Sequence, residues 1–235
     1  NHYFDIKPEG NWENKIILRE IKTPTKSIIS ELQRLREGKT KPFFDNKIQL
    51  DLNCLWVSAL ISAEQVLPNN NFLKDAETYY KNLEKIFFNK EKLQHTILKT
   101  EVFLEDYAYS IAMLLDLYDQ TLKPNYLFKA KELCQKTYDL FYIKEKSIFQ
   151  KNIAANNDLF HKPIDVSDGN IPNGNSIMLL NFSRLKMKKE AKELSNSLNG
   201  YLNIYKSSMV SSLKSIDYFN AIDFDKNCTE EGCLF

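Results

Sequence analysis

The spacing of apolar residues is the feature that most limits what this 235-residue chain can fold into. Apolar side chains recur three and four positions apart, which places them on one face of an α-helix. Segments with this period come in pairs joined by short turns, and they predict helical hairpins over residues 55–88, 103–142 and 175–204. A further helix is expected to begin near Ser207. The sequence therefore favours a mostly all-α fold.

Residue types at the segment ends predict where the helices begin. Ser, Thr, Asn and Asp are preferred N-caps, and proline suits the first helical position. Such residues predict helix starts at Thr23-Pro24, at Asp51, at Pro124 and at Asn175 or Ser176, and Gly38 ends the first helix.

Two connections are less regular than the hairpins. Residues 90–100 contain alternating apolar positions, which could form a short strand. Residues 145–172 form a long connection with a short strand near Ile148. Connections of this length are often functional.

Composition excludes several classes of partner and fold. The 32 basic and 31 acidic residues leave a net charge of +1, so we expect neither nucleic acid nor a membrane as a partner. The longest apolar run, residues 55–63, is too short to span a bilayer. Four cysteines in a chain of this length indicate reduced thiols and a cytoplasmic location. Six glycines, well below the usual ~7% of residues, disfavour all-β folds and Gly-rich nucleotide loops.

Two of the six glycines, Gly169 and Gly174, lie in one loop over residues 168–176. Glycine permits tight turns and close approach of the backbone. One interpretation is a capped turn before a helix. The other is a loop whose amides and asparagine side chains line a ligand-binding mouth. The loop is not a P-loop, because Gly-Lys-Ser/Thr is absent.

Helical hairpins with longer loops on one side fit part of an α/α toroid better than a short solenoid repeat, because their period is irregular. In such a toroid an inner ring of helices is buried, and the functional site lies at the loop-bearing mouth. We therefore expect a partial (α/α)6 toroid.

Three motifs carry a resemblance to one protein family. They are Asp45-Asn46-Lys47-Ile48 followed by Asn53, then Leu104-Glu105-Asp106-Tyr107-Ala108, then a loop with Pro163, Asp165, Asp168-Gly169 and Pro172-Asn173-Gly174-Asn175-Ser176. In order and spacing they resemble motifs of the YyaL-type thioredoxin-domain proteins, which include the spermatogenesis-associated thioredoxin-like proteins of animals. The likeness extends from about residue 3 to residue 186.

The resemblance implies an N-terminal thioredoxin-like domain followed by an (α/α)6 toroid similar to six-hairpin glycosidases and N-acylglucosamine 2-epimerases. Residues 1–219 would then be part of the toroid and residues 220–235 a C-terminal tail, with the thioredoxin-like domain outside this chain. Three and a half hairpins cannot close a ring of six, so we expect a fragment of a longer protein. The expected partners are a small carbohydrate ligand and the thioredoxin-like domain of the same full-length chain.

The motifs supply the candidate site residues. We expect catalytic carboxylates at Asp45, Glu105 and Asp106, used as in a sugar epimerase or a glycoside hydrolase. The ligand-binding candidates are Lys47, Asn53, Tyr107, Asp168, Gly174, Asn175 and Ser176.

Several candidates also have a purely structural interpretation. Glu105 and Asp106 lie in the first turn of a helix, where the helix dipole stabilises a carboxylate by up to ~1 kcal/mol. Asp45 and Lys47 suit a surface ion pair worth ~0–1 kcal/mol. Tyr107 suits the hairpin core.

The chain departs from the family motifs at several positions. Asn46 replaces the second Asp, Leu52 replaces the Trp, Lys162 replaces the Arg before proline, and Asn173 replaces a Ser. These losses motivate a second hypothesis, a non-catalytic scaffold or protein-interaction domain that partners a thioredoxin-like module. A general helical-repeat interaction domain is a third.

We expect no metal site and no cofactor. His2, His95 and His161 have no paired ligand spacing, and no His-Glu-x-x-His motif occurs. Cys228 and Cys233 form a pair without a second ligand pair.

Overall fold

A computed structural model describes residues 2–68, 70–88, 92–98, 101–153, 163–222 and 224. The chain divides into two compact units, Asn1–Asn46 and Lys47–Phe235. Cys228, Cys233, His161 and Lys162 lie outside the described residues. The sequence-based division at residue 219 stays a prediction.

The first unit contains one helix, α1 (Lys26–Glu37), which ends at Gly38 as predicted. It begins later than predicted, because Thr25 rather than Thr23 takes the extended backbone that precedes the helix. A tight turn earlier in this unit requires Gly10, whose φ is +84° and whose added Cβ would meet the Asn14 and Lys15 backbone at 2.8 Å. No residue of α1 is buried.

The second unit is built from helical hairpins, as the apolar period predicts. The helices are α2 (Leu50–Val66), α3 (Phe72–Phe87), α4 (Leu104–Thr121), α5 (Pro124–Phe141), α6 (Gly174–Arg184), α7 (Lys188–Tyr205) and α8 (Val210–Ala221). Within the described chain, no helix is both long and apolar enough to cross a membrane.

Short elements occupy the connections between hairpins. Strands β1 (Tyr142–Ile143) and β2 (Ile148–Phe149) pair antiparallel around a 3-10 turn, which confirms the strand predicted near Ile148. A second 3-10 turn, Lys206–Met209, leads into α8. The alternation within residues 90–100 does not give a strand in the part described, where Leu93 and Thr96 form only isolated bridges, to Phe88 and Gln49.

The helices form two layers. Helices α2, α4, α6 and α8 pack in that order side by side, while α3, α5 and α7 pack against α2, α4 and α6 respectively. Helix α4 packs against α2 and α6 in its own layer and against α5 in the other, and it buries eleven of its eighteen residues, which is the pattern of a core helix. The inner row is therefore α2, α4, α6 and α8.

The inner helices begin at the same end of the second unit, here called the rim. The starts of α4 and α6 touch, because a Cβ added at Gly174 would lie 3.2 Å from Glu105 Oε1. The starts of α6 and α8 share Asp168, which accepts hydrogen bonds from the amides of Asn173 and Ser211 at 3.1 and 2.8 Å. The rim therefore gathers the positive ends of several helix dipoles.

The caps at the rim differ from those predicted. Gln49, not Asp51, precedes α2, and Asp51 lies in the first turn, where its carboxylate accepts the Leu52 amide at 2.8 Å. Asn173 caps α6 by accepting the Ser176 amide at 2.9 Å, so Asn175 and Ser176 lie inside the helix. In α6 an equally suitable asparagine two positions away misleads a prediction based on residue type alone, and in α2 the preceding residue, Gln49, is not a preferred N-cap.

Candidate ligand-binding site at the rim

A cavity of about 270 Å³ opens at the rim. This volume is close to the lower end of the ~300–1,000 Å³ typical of small-molecule sites. Its walls come from the starts of α2 and α4, the segment before α4, and the long connection before α6. The lining residues are Asp51, His95, Phe103, Glu105, Lys151, Asp165, Ser167, Gly169, Ile171, Pro172 and Asn173.

Glu105 lies half-buried in the first turn of α4 and lines this cavity. Burial raises the pKa of its carboxyl, although the local backbone, the Lys151 ammonium and the Gly174 amide favour the charged form. A Cβ on Gly174 would meet the Leu104 side chain at 2.8 Å. Only glycine lets α6 begin this close to Glu105.

Asp51, His95 and Asp106 form a cluster beside Glu105. Their ligand atoms all lie within 4.8 Å of one another. Asp106 is fully buried; its Oδ1 lies 2.9 Å from His95 Nδ1, and its Oδ2 accepts the Phe103 amide at 2.8 Å. This bond to Asp106 raises the pKa of His95, and burial followed by the charge of Asp106 raises the pKa of Asp51.

Backbone and side-chain contacts fix His95 in this position. Its carbonyl accepts the Leu50 amide at 2.9 Å, and its amide donates to the Glu101 carbonyl at 3.0 Å. Its ring meets the Phe103 ring edge-on, with centroids 4.9 Å apart. Its Nε2 lies 3.1 Å from Gln49 Nε2. Both ring nitrogens of His95 therefore face polar partners.

Lys151 places a cation in the lining of the cavity. Its Nζ lies 3.0 Å from Asp165 Oδ2, and this bond raises the pKa of the lysine. Its carbonyl accepts the Leu104 amide at 2.9 Å, and its amide donates to the Pro163 carbonyl at 2.7 Å. The backbone of Lys151 is thus hydrogen-bonded both to the start of α4 and to Pro163 in the connection before α6.

Asp168 stabilises the loop of residues 168–176 by accepting hydrogen bonds. Its Oδ1 accepts the Asn173 amide and side chain, and its Oδ2 accepts the Ser211 amide. Burial opposes its ionisation, but the hydrogen bonds from Ser211 and Asn173 prevail and lower its pKa. Asp168 therefore joins the loop to the start of α8.

Asn175 and Ser176 are fully buried and bonded to the backbone. Asn175 bonds both the amide and the carbonyl of Phe149, at 2.9 and 3.0 Å, and donates to the Asp165 carbonyl at 3.0 Å. The Ser176 hydroxyl donates to the Asn173 carbonyl at 2.7 Å. Both side chains thus hold the loop and β2 in place.

Four other candidates from the sequence are not among the residues that line the cavity: Tyr107, Asn53, Lys47 and Asp45. Tyr107 is fully buried, accepts the Leu93 amide at 3.2 Å and packs on Phe141. Asn53 donates to the Gln49 carbonyl at 2.7 Å. Lys47 is exposed, and Asp45 is exposed in the first unit. Their assignment to the site stays a prediction.

Sequence reasoning missed His95 and Lys151 as members of the cavity and treated Asp51 only as a cap. No local motif marks His95, because its partners are 44 residues earlier and 11 residues later in the chain. The sequence signal nearest to it was the ambiguous alternation of residues 90–100. The expectation of no metal site was based on spacing and did not consider this cluster.

One curated relative and no family model match the chain. No protein-family model matches it. The uncharacterized protein B0495.5 of Caenorhabditis elegans is 25% identical over 236 aligned residues, covering 84% of this chain and 32% of that protein. The chain therefore spans about a third of the length of that relative.

Solved structures of carbohydrate-processing enzymes share the helix arrangement. The GH76 alpha-mannanase of Bacteroides thetaiotaomicron matches with a TM-score of 0.60 and 15% identity, over 83% of this chain and 56% of that chain. A cellobiose 2-epimerase from Bacillus thermoamylovorans gives 0.50 and 13%, over 83% and 71%. A family 88 glycosyl hydrolase from Bacteroides vulgatus gives 0.51 and 7%, over 82% and 66%.

Identities this low establish the fold alone. The expected fold class is confirmed: the mostly helical chain has the hairpin architecture of the six-hairpin glycosidase and epimerase toroids.

Proposed function

We propose that the rim cavity binds a carbohydrate or a small ligand of similar polarity. The observation that carries this proposal is the convergence of Glu105, Lys151 and Asp165 in one cavity of about 270 Å³. Carboxylates accept and ammonium groups donate hydrogen bonds, so together they suit vicinal hydroxyls. The shared fold of mannanase and epimerase structures supports the choice of ligand class.

The enzymatic form of the proposal is acid–base chemistry on the bound sugar. Glycoside hydrolysis uses two carboxyl groups ~5–9.5 Å apart across the scissile bond. Glu105 and Asp165 line the same cavity and are the two carboxyl groups that we propose for this role. Asp106 is fully buried and bonded to His95, so its proposed part is to orient that imidazole. Asp45 remains a candidate from the motif alone.

Ligand-observed NMR with a panel of mono- and disaccharides tests the binding step. We expect saturable binding to at least one sugar, weakened tenfold or more in Glu105→Gln and in Asp165→Asn. Glu132→Gln is the matched control, because Glu132 is exposed and pairs with Lys136 on α5. Absence of saturable binding across the panel, or equal binding by the Glu105 and Glu132 variants, would contradict the proposal.

The alternative is a non-catalytic scaffold that partners a thioredoxin-like module of the same longer protein. Leu52 is 46% exposed where the resembled motif has a tryptophan, which removes an aromatic platform. The length of the Caenorhabditis elegans relative leaves room for further domains in that protein. Sugar turnover by the full-length protein that Glu105→Gln abolishes would exclude the scaffold. Sugar-independent binding of the separately produced thioredoxin-like module would support it.

We also propose that the protein is located in the cytoplasm. Its support is that Cys54 and Cys134 are buried free thiols, as in proteins of reducing compartments. Fractionation of cells that express the full-length protein tests it.

A further inference from the structure

The cluster of Asp51, His95 and Asp106 combines ligand types that one cation can share. The three residues come from the start of α2, the segment before α4 and the start of α4. Their ligand atoms lie within 4.8 Å of one another. Imidazole nitrogen and carboxylate oxygen bind Zn²⁺ at ~2.0–2.2 Å, so ligand atoms of one tetrahedral ion lie about 3.3 Å apart. Small side-chain movements would bring the cluster to that spacing.

The charge of the cluster independently favours a cation. Asp51 is 8% exposed and Asp106 is fully buried, so two carboxylates face a single imidazole. Asp106 bonds through both oxygens, whereas Asp51 Oδ1 accepts the Leu52 amide. Asp51 also lines the cavity, so a ligand can reach its carboxylate from the cavity side. Two largely buried carboxylates this close together are costly unless a cation compensates their charge.

We propose that Asp51, His95 and Asp106 hold a zinc ion at the floor of the rim cavity. Asp51 and His95 also line that cavity, so it can supply the remaining coordination positions with water or a ligand oxygen. This inference does not depend on the binding of a sugar.

Gln49 acts as the outer partner of the site. In the metal-free cluster, the His95 Nδ1 proton faces Asp106 and the Gln49 amide nitrogen faces His95 Nε2. For Nδ1 to bind the ion, Nδ1 would give its proton to solvent and Nε2 would take one up from solvent, so the ring would change tautomer and stay neutral with one proton. Rotation of the Gln49 amide then presents its oxygen to Nε2–H. Such outer partners orient ligating histidines.

Isothermal titration of the whole chain with Zn²⁺ tests the site, in a background with Cys228→Ser and Cys233→Ser that removes thiols able to bind zinc. We expect one ion per chain, with at least tenfold weaker binding in Asp51→Asn and in His95→Gln. Asp139→Asn is the matched control, because Asp139 is exposed on α5. Cobalt substitution should give the absorption of a nitrogen and oxygen site.

Two results would overturn the site: no saturable binding at one ion per chain, or binding of equal strength in Asp51→Asn and in Asp139→Asn. If His95→Gln unfolds, the Asp51 variant still decides, since its carboxylate makes the fewest structural bonds of the three. Sugar binding measured in parallel separates this outcome from the carbohydrate proposal.

Discussion

Glu105 is placed at the rim by a glycine on a different helix. A Cβ on Gly174 would lie 2.8 Å from the Leu104 side chain and 3.2 Å from Glu105 Oε1. This explains at the level of single atoms why two motifs far apart in sequence belong to one site. Because Gly174 has no side chain, the start of α6 can lie close to the Glu105 carboxylate.

Gly174→Ala is expected to destabilise the fold by about 1–3 kcal/mol, since its Cβ would lie 2.8 Å from two carbons of Leu104. Urea unfolding followed by circular dichroism measures the change. Gly169→Ala is the control from the same loop, because nothing lies within 4 Å of its added Cβ. A loss of stability in Gly169→Ala as large as in Gly174→Ala would contradict this explanation.

The lowered pKa of Asp168 predicts that the stability of the fold depends on pH. Its folded pKa lies below the unfolded value of ~3.9, because hydrogen bonds from Ser211 and Asn173 outweigh burial. Its stabilisation is therefore complete above the unfolded pKa and is lost as pH falls through the folded pKa. We expect Asp168→Asn to cost about 1–3 kcal/mol at pH 7.

Unfolding free energies measured from pH 7 to pH 3 test this sign. The difference between wild type and Asp168→Asn should shrink as the pH falls. Asp139→Asn controls for the loss of one exposed carboxylate. A difference that stays constant or grows on acidification would show that Asp168 does not act through its charged form.

At the scale of elements, the inner helices are tied together at both ends. Opposite the rim, Arg184 at the end of α6 bonds Asp116 and Asp119 in the last turns of α4, at 2.8 and 2.9 Å. Ser58 of α2 donates to Asp116 at 2.6 Å. Three inner helices thus share one polar network at this end, and the guanidinium is only 11% exposed.

Arg184→Met is expected to cost about 2–4 kcal/mol, because it leaves two carboxylates beside each other without their cation. Both carboxylates are 27% exposed, so the cost should fall below that of a fully buried pair. A double-mutant cycle with Asp119→Asn, measured by urea unfolding, should give a coupling above about 1 kcal/mol. Additive effects would mean that the network does not bridge the helices.

The order of the hairpins and the start of α5 at Pro124 could be predicted at this scale, whereas the caps of α2 and α6 could not. The apolar period places α4 and α5 nearly to the residue, because their core faces are long and regular. The start of α6 was predicted at Asn175 or Ser176, yet Asn173 is the cap. Three suitable cap residues, Asn173, Asn175 and Ser176, lie within four positions of one another. The hydrogen bonds of Asn175 to Phe149 of β2 decide between them, because they use the Asn175 side chain elsewhere.

At the scale of the whole molecule, the sequence motifs indicate the loop but not the set of residues around the cavity. Glu105 and the loop of residues 168–176 meet at the rim because the inner helices all begin there. His95 and Lys151 come from irregular connections, where no period or spacing marks a residue. Their positions follow from backbone hydrogen bonds to α2 and α4, which only the folded chain reveals.

The two units should differ in how readily they open. Helix α1 buries none of its residues, whereas α4 buries eleven of its eighteen. Amides in segments with few buried contacts exchange through local opening, while those of a core helix exchange only when the fold unfolds. Hydrogen exchange followed by mass spectrometry should therefore show α1 peptides exchanging more than ~100-fold faster than α4 peptides, a difference of roughly 3 kcal/mol in opening free energy. The α7 peptides, from an outer helix of the second unit, provide an internal comparison of intermediate burial. Equal protection of α1 and α4 would mean that α1 is covered by an element that the described residues do not supply.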